Sequence, residues 1–192
     1  MDLLLATRNA HKTSEFSELL GPDFKVRDLT SRSDLPIVDE TGSTFAENAA
    51  LKALAISKCV SGWIVADDSG LEVEALNGAP GIFSARYAGE SATDQENVAK
   101  LLRELSGKTP SRAHFRCVLA LAKDGAFVEN FGGVVEGHIV AASHGTHGFG
   151  YDPAFVPDGF SQTFAELPAK VKNAVSHRAK AVAQLSKFLL TR

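Results

Sequence analysis

Apolar and polar positions alternate along this chain in short blocks whose period switches between that of a strand and that of a helix. Leu3–Ala6 is an apolar run too short for a helix. The polar Thr7-Arg8-Asn9 follows, and then Phe16, Leu19 and Leu20 recur at helical spacing, so the opening reads strand, turn, helix. Residues 23–29 predict a second short strand, and 30–42, polar and broken by Pro36, predict a loop. Thr44-Phe45-Ala46-Glu47 has the form of a capping box and opens an Ala-rich helix reaching Lys58. Trp63–Ala66 predicts a strand that ends on Asp67-Asp68 and a Ser69-Gly70 turn, and Leu71–Leu76 alternates as a further, half-exposed strand. After the turn residues Asn77–Gly81, Thr93-Asp94-Gln95-Glu96 opens a helix that ends near Gly107. Residues 113–122 and 126–140 form a long hairpin about Asp124-Gly125. A Gly-rich stretch then leads to a short Phe155-Val156 strand, and the closing helix carries Val175, Ala179, Val182 and Leu189 on one face.

Short strands alternating with helices, plus one long hairpin, give an α/β fold with a mixed sheet. At 192 residues the chain is one domain, or one domain drawn out into two lobes, with enough length for a sizeable core. Lys plus Arg number 20 against 23 Asp plus Glu, and no window holds a long run of like charges. Binding of a nucleic acid polymer through its phosphates is therefore excluded as the main function, whereas a small anion held by a few cations is compatible. The longest apolar runs, such as Cys117–Ala122, fall well short of the ~18 residues of a membrane helix, and the acidic Asp2 stands where a signal peptide is basic. Cys59 and Cys117 read as reduced thiols, so the expectation is a soluble cytoplasmic protein without a membrane partner.

Four polar clusters lie where α/β sheets present ligands, at the ends of strands. The first is Thr7-Arg8-Asn9-Ala10-His11-Lys12, a strand-to-helix turn whose backbone N–H groups, hydroxyl, amide and lysine suit an anion. An ordinary cap, with Asn9 as N-cap and Lys12 in solvent, is the competing reading. The second comprises Asp39 and Glu40 in the first loop with Asp67 and Asp68 after the Trp63 strand. Mg2+ takes one or two carboxylates together with phosphate oxygens and water, and two acids ending an apolar strand require a compensating cation. In the third, Gly148-Phe149-Gly150-Tyr151-Asp152-Pro153, two glycines leave the Phe149 ring open as a platform for a base, worth ~1–3 kcal/mol of stacking. The fourth, Lys172 to Arg178, brings Ser176, His177 and Arg178 together where a helix begins, with donors suited to a carbonyl or a phosphate.

Taken in order, Ala6-Thr7-x-Asn9-x-x-Lys12, Glu40-Thr41-Gly42-x-Thr44-Phe45-x-Glu47-Asn48-Ala49, Ala66-Asp67-Asp68-Ser69-Gly70-Leu71, the Gly78–Tyr87 segment, Phe149-Gly150-Tyr151-Asp152-Pro153 and Ser176-His177-Arg178 resemble one family. It is the inosine/xanthosine triphosphatase (Ham1-like) group of purine nucleoside triphosphate pyrophosphatases. The resemblance spans nearly the whole chain. It implies an elongated mixed β-sheet with flanking helices forming two lobes around a central cleft, a homodimer, and Mg2+-dependent hydrolysis of ITP, dITP or XTP to the monophosphate and pyrophosphate. It further implies that Thr7, Arg8, Asn9, Ala10, His11, Lys12 and Lys52 hold the triphosphate, and that Glu40 and Asp68 bind the metal. Asp68 is also expected to act as base toward the attacking water, with Ser69 touching substrate beside it. Phe149 is expected to stack on the purine, with Gly150 and Tyr151 beside it in the substrate site, while Asp152, Lys172, His177 and Arg178 line the base pocket. Two positions are less typical of the family. Arg8 stands where a small residue is common, which adds a phosphate contact or points the side chain to solvent, and Thr146-His147 replaces Gly-rich sequence. A pyrophosphatase of other nucleotides and a nucleotide-binding regulator without hydrolysis are the rival readings.

Overall fold

A computed structural model describes residues 1–192. Its elements are β1 (Asp2–Leu5), α1 (Ala10–Leu20), β2 (Lys25–Arg27), α2 (Phe45–Ser57), β3 (Trp63–Val73), α3 (Asp94–Glu104), β4 (Ser111–Lys123), β5 (Ala126–Ile139), β6 (Phe155–Pro157), α4 (Ala169–Val175) and α5 (His177–Leu189). The six strands form one sheet in the order β2-β1-β3-β4-β5-β6. β1 pairs in parallel with both β2 and β3, and β6 runs antiparallel to β5, so the sheet is mixed as expected. Between β4 and β5 the hairpin turns on Asp124 and Gly125, both at positive φ (49° and 84°), the conformation that a two-residue hairpin of matching twist requires. No helix is long and apolar enough to cross a membrane.

The chain divides into two compact units. Unit 1 comprises 1–68, 117–133 and 178–192, and unit 2 comprises 69–116 and 134–177, so that β3, β4 and β5 each contribute residues to both. Within unit 1 the period of two along the strands sorts the core onto two faces. Leu3, Leu5, Val65, Cys117, Leu119 and Leu121 pack with Phe16 and Leu20 of α1 and with Val182, Leu185 and Leu189 of α5. Ala6, Ile64, Ala66, Ala120 and Ala122 take the other face under Ala49, Ala53 and Ile56 of α2. Small residues on both partners let α2 lie close to the sheet. Unit 2 has one core, in which Leu71, Val73, Phe115, Val135 and Ile139 pack against Val98, Leu101 and Leu105 of α3 and against Phe155 and Phe164.

Three local expectations are corrected. β3 does not stop at Ala66: Asp67-Asp68-Ser69-Gly70 continue it as strand to Val73, so there is no Ser69-Gly70 turn and the acids lie mid-strand. Pairing across a buried sheet outweighs the weak strand preference of Asp, Ser and Gly. Glu74–Leu76, read as strand, is a 3-10 turn that ends on Asn77 at positive φ. At Thr44 only half of the capping box forms. The Thr44 hydroxyl accepts from the Glu47 N–H, but the Glu47 carboxylate takes the Ser43 N–H and hydroxyl instead of returning to Thr44. The box at Thr93 closes in both directions.

Candidate active site

In unit 1 the turn after β1 is built as a cap, and its lysine is not left to solvent. Asn9 Oδ1 accepts from the His11 and Lys12 N–H groups at 2.9 and 3.3 Å, and Thr7 Oγ1 accepts from the Asn9 N–H at 3.1 Å. Ala10 and His11 are exposed at the positive end of α1. Lys12 forms an ion pair with the buried Asp67. The Arg8 side chain does not simply point to solvent: its Nη2 donates to the Leu35 and Arg32 carbonyls at 2.9 and 3.4 Å.

Asp67 is met by two cations. Besides Lys12 it accepts from Arg178 Nε at 3.0 Å and from the Cys117 thiol at 3.2 Å, and Arg178 Nη1 is bound by Glu15. Burial alone would push the Asp67 carboxyl up, yet Arg178 and Lys12 overcome it and hold the group well below the usual range. Burial and Asp67 together push the Cys117 thiol up, so it stays a donor. Thus Arg178, expected in a base pocket, presents its Nε and Nη1 to Asp67 and Glu15.

Asp68, one residue on, lives in a different environment. Its Oδ1 accepts from Lys52 Nζ at 3.0 Å, and the same ammonium donates to Glu40 Oε1 at 2.6 Å and to the Asp67 carbonyl at 2.9 Å. Its Oδ2 is buried without a hydrogen-bond partner. Burial is the largest influence on Asp68. Lys52 opposes it, Glu40 adds to it, and the carboxyl is pushed up to about 6. A buried acceptor with nothing to accept from is costly, which makes this atom the natural place for a cation or a proton. Glu40 and Asp68 share one lysine, and two carboxylates completed by phosphate oxygens and water are the donor set Mg2+ takes, so the residues fit that ion. No group of three or more His, Cys, Asp or Glu side chains is placed to hold a metal by itself. Asp39 is exposed and Ser69 half-buried in β3.

The remaining candidates gather in unit 2. Asp152 is buried, forms an ion pair with Lys172 at 2.5 Å, and its Oδ2 accepts from the Phe149 N–H at 3.0 Å. The Lys172 ammonium lies 5.1 Å from the centre of the Phe149 ring and 5.7 Å from that of Phe164. Gly148 is at φ +74°, and a Cβ there would collide with the Asp152 carboxylate, so this position needs glycine on two counts. The Gly150 N–H donates to Asp94 Oδ2 at 2.6 Å, and the Tyr151 hydroxyl donates to the Ser84 carbonyl at 2.8 Å. Buried His177 stacks on Phe115 with ring centres 4.8 Å apart and planes 11° apart. Ser176 closes α4, and α5 starts at His177.

Sequence reasoning missed Glu15, Cys117 and Asp94. Glu15 stands one turn after Lys12, a spacing that puts both on one helix face and could have drawn notice. Its partner Arg178 is 163 residues away, and no local pattern joins them. Asp94 was hidden inside a capping box that accounts for it without any further role.

The model of the Ham1 family matches residues 3–188. A dITP/XTP pyrophosphatase of Bacillus licheniformis is 46% identical over 191 residues, covering 98% of this chain and 97% of that protein. The dITP/XTP pyrophosphatase of Bacillus subtilis is 44% identical over 191 residues, covering 98% and 96%. Among solved structures, the Ham1 protein of Staphylococcus aureus matches with a TM-score of 0.88 at 41% identity, covering 100% of this chain and 99% of that one. A HAM1 protein from Coxiella burnetii matches with a TM-score of 0.88 at 43% identity, covering 100% of both chains. Sequence and fold agree along the whole length, and the chain belongs to the Ham1 family.

Proposed function

We propose that this chain is a nucleoside triphosphate pyrophosphatase that hydrolyses dITP, ITP and XTP to the monophosphate and pyrophosphate with Mg2+, clearing non-standard purines from the nucleotide pool. The observation that carries the reading is the buried, partnerless Oδ2 of Asp68, on a carboxylate that shares Lys52 with Glu40. Such an atom is suited to take a proton from water. Relatives of more than 40% identity over nearly their full length bear the name dITP/XTP pyrophosphatase, which supports the same reaction class.

Each residue then has a physical task. The exposed start of α1, capped by Asn9, offers its dipole to the triphosphate, and Lys12 and Lys52 offset its charge. Glu40 and Asp68 would hold Mg2+, which when bound neutralises phosphate oxygens and acidifies a water. Asp68 accepts the proton of the attacking water at Oδ2, and Lys52 steadies the carboxylates through the step. Phe149 stacks on the purine, and Asp152, Lys172, His177 and Arg178 set the donors and acceptors that face its edge. A C6 carbonyl accepts from such donors where an adenine amine cannot, and pairing of that kind discriminates by up to ~10^4–10^5-fold. The family resemblance adds a homodimer to this reading, and the unpaired thiols of Cys59 and Cys117 fit a cytoplasmic location.

The test is release of pyrophosphate, rather than phosphate, from a panel of nucleotides with and without Mg2+. The expected result is preference for ITP, dITP and XTP over ATP and loss of product in Asp68→Asn with the fold intact. Turnover near the wild-type level in that variant would remove Asp68 from the role of base, and tight nucleotide binding without product would favour a regulator. Sedimentation of the pure protein tests the dimer.

A further inference from the structure

Arg8 makes a tertiary contact that the proposed reaction does not use. Its guanidinium donates through Nη2 to the Leu35 carbonyl at 2.9 Å and reaches the Arg32 carbonyl at 3.4 Å. Leu35 itself is buried in the core beneath α2, so this carbonyl marks a fixed point in the 30–42 loop. A second fixed point is Gly42, whose N–H donates to Asn48 Oδ1 at 2.8 Å. That end is closely packed: a Cβ at Gly42 would meet Glu47 Cβ at 2.6 Å and Asn48 Oδ1 at 2.7 Å. Between the two anchors lie Pro36, which has no N–H to give, the exposed Ile37, Val38, which packs half-buried against the core under α2, and Asp39, whose carbonyl accepts locally from the Thr41 N–H. Glu40 sits within this stretch and reaches out of it to Lys52.

We infer that Arg8 is a positioning residue: by clamping the Leu35 carbonyl it holds one end of the 36–41 stretch and so places the Glu40 carboxylate toward the divalent cation. The inference rests on the reading of Glu40 as a ligand of that cation. A charged guanidinium is a stronger donor to carbonyls than a neutral group, and its planar donors are held in a fixed geometry where those of an ammonium rotate. Arg8 therefore couples two parts of the site, because the turn that meets the triphosphate also tethers the loop that brings Glu40.

The test uses Arg8→Ala and Arg8→Lys in the full-length protein with two readouts. The first is hydrogen exchange, without metal or nucleotide, of the bonded amides of Arg32, Leu35, Thr41 and Gly42. The second is the Mg2+ concentration giving half-maximal pyrophosphate release. For Arg8→Ala, loss of one such bond predicts roughly 3–10-fold faster exchange over 32–42 with α1 unchanged, and a Mg2+ midpoint raised by roughly 3–10-fold. Arg8→Lys should fall between wild type and alanine. Unchanged exchange in 32–42 overturns the clamp. A raised nucleotide KM at saturating Mg2+ with an unmoved Mg2+ midpoint also overturns it and makes Arg8 a phosphate contact. Should wild type release no pyrophosphate, the activity reading falls, while the exchange data still decide the clamp.

Discussion

Replacing Asp68 by Asn should make the metal-free protein more stable at neutral pH relative to wild type than it does at low pH. The carboxyl is pushed up to about 6 from its ordinary 3.8, so the folded chain binds more protons than the unfolded chain between those values. Where the native state holds the extra proton, raising the pH costs stability. Wild type therefore loses stability as pH rises from about 4 to about 6, and above that window the loss is complete. A shift of that size corresponds to about 3 kcal/mol at ~1.36 kcal/mol per unit. Asn cannot ionise and keeps the neutral shape, so any fixed cost of the amide is the same at every pH and cancels in the difference. The gap between Asp68→Asn and wild type should thus move by about 3 kcal/mol in favour of the variant between pH 4 and pH 8. For a chain of this length that is about 5–10 °C in Tm. Urea unfolding at pH 4, 5, 6, 7 and 8 without divalent ions measures it. A gap that stays flat across this range would mean that Asp68 ionises as an ordinary surface carboxylate does, and the argument from its buried environment would fail. Saturating Mg2+ should shrink the effect at pH 8, because a cation that binds the native carboxylate stabilises only wild type.

Other perturbations test neighbouring parts of the structure. Arg178→Ala removes the guanidinium from the buried Asp67, leaving it Lys12, and loss of one partner from a buried pair should cost about 3–5 kcal/mol in urea unfolding. The same variant should narrow the preference for ITP over ATP in steady-state rates. Gly148→Ala meets both a positive φ and the Asp152 carboxylate, so it should raise KM for ITP by roughly tenfold and cost about 1–3 kcal/mol in urea unfolding. Thr93→Ala opens a complete capping box on α3 and should cost about 1 kcal/mol, read as a small drop in Tm without change in Mg2+ requirement.

Most elements were legible because their apolar residues obey one period at a time. Phe16 and Leu20 mark the buried face of α1, and Asp124-Gly125 announces the hairpin turn. β3 was cut short because Asp67, Asp68, Ser69 and Gly70 are poor strand residues taken locally, and only their place in the sheet makes them extended. The candidate residues were found through motifs, which record positions but not partners. That Arg8 turns to Leu35, that Asp94 holds Gly150, and that Glu15 meets Arg178 are facts of tertiary packing between segments distant in sequence. The N-cap reading of Asn9 was correct as local chemistry, whereas the idea of a solvated Lys12 failed because its counter-ion lies 55 residues away.

The continuity of β3 also changes what the adjacent acids mean. Read as the end of a strand, Asp67 and Asp68 were two charges crowded at one place and awaiting one cation. As strand residues they must point to opposite faces of the sheet. Asp67 shares its face with Val65 and Cys117, where α1 supplies Lys12 and α5 supplies Arg178, and its charge is fully met. Asp68 shares its face with Ile64 and Ala66, where α2 brings only Lys52, a cation already divided with Glu40. One carboxyl is consequently driven down and the other up, though they are neighbours in the chain. Two acids separated in this way can take different tasks. In the proposed reaction Asp67 would remain an anion that anchors Lys12 beside the turn after β1, and Asp68 would offer its unpartnered oxygen to the proton of the attacking water. The strand's period of two, rather than the local crowding of charge, divides the labour.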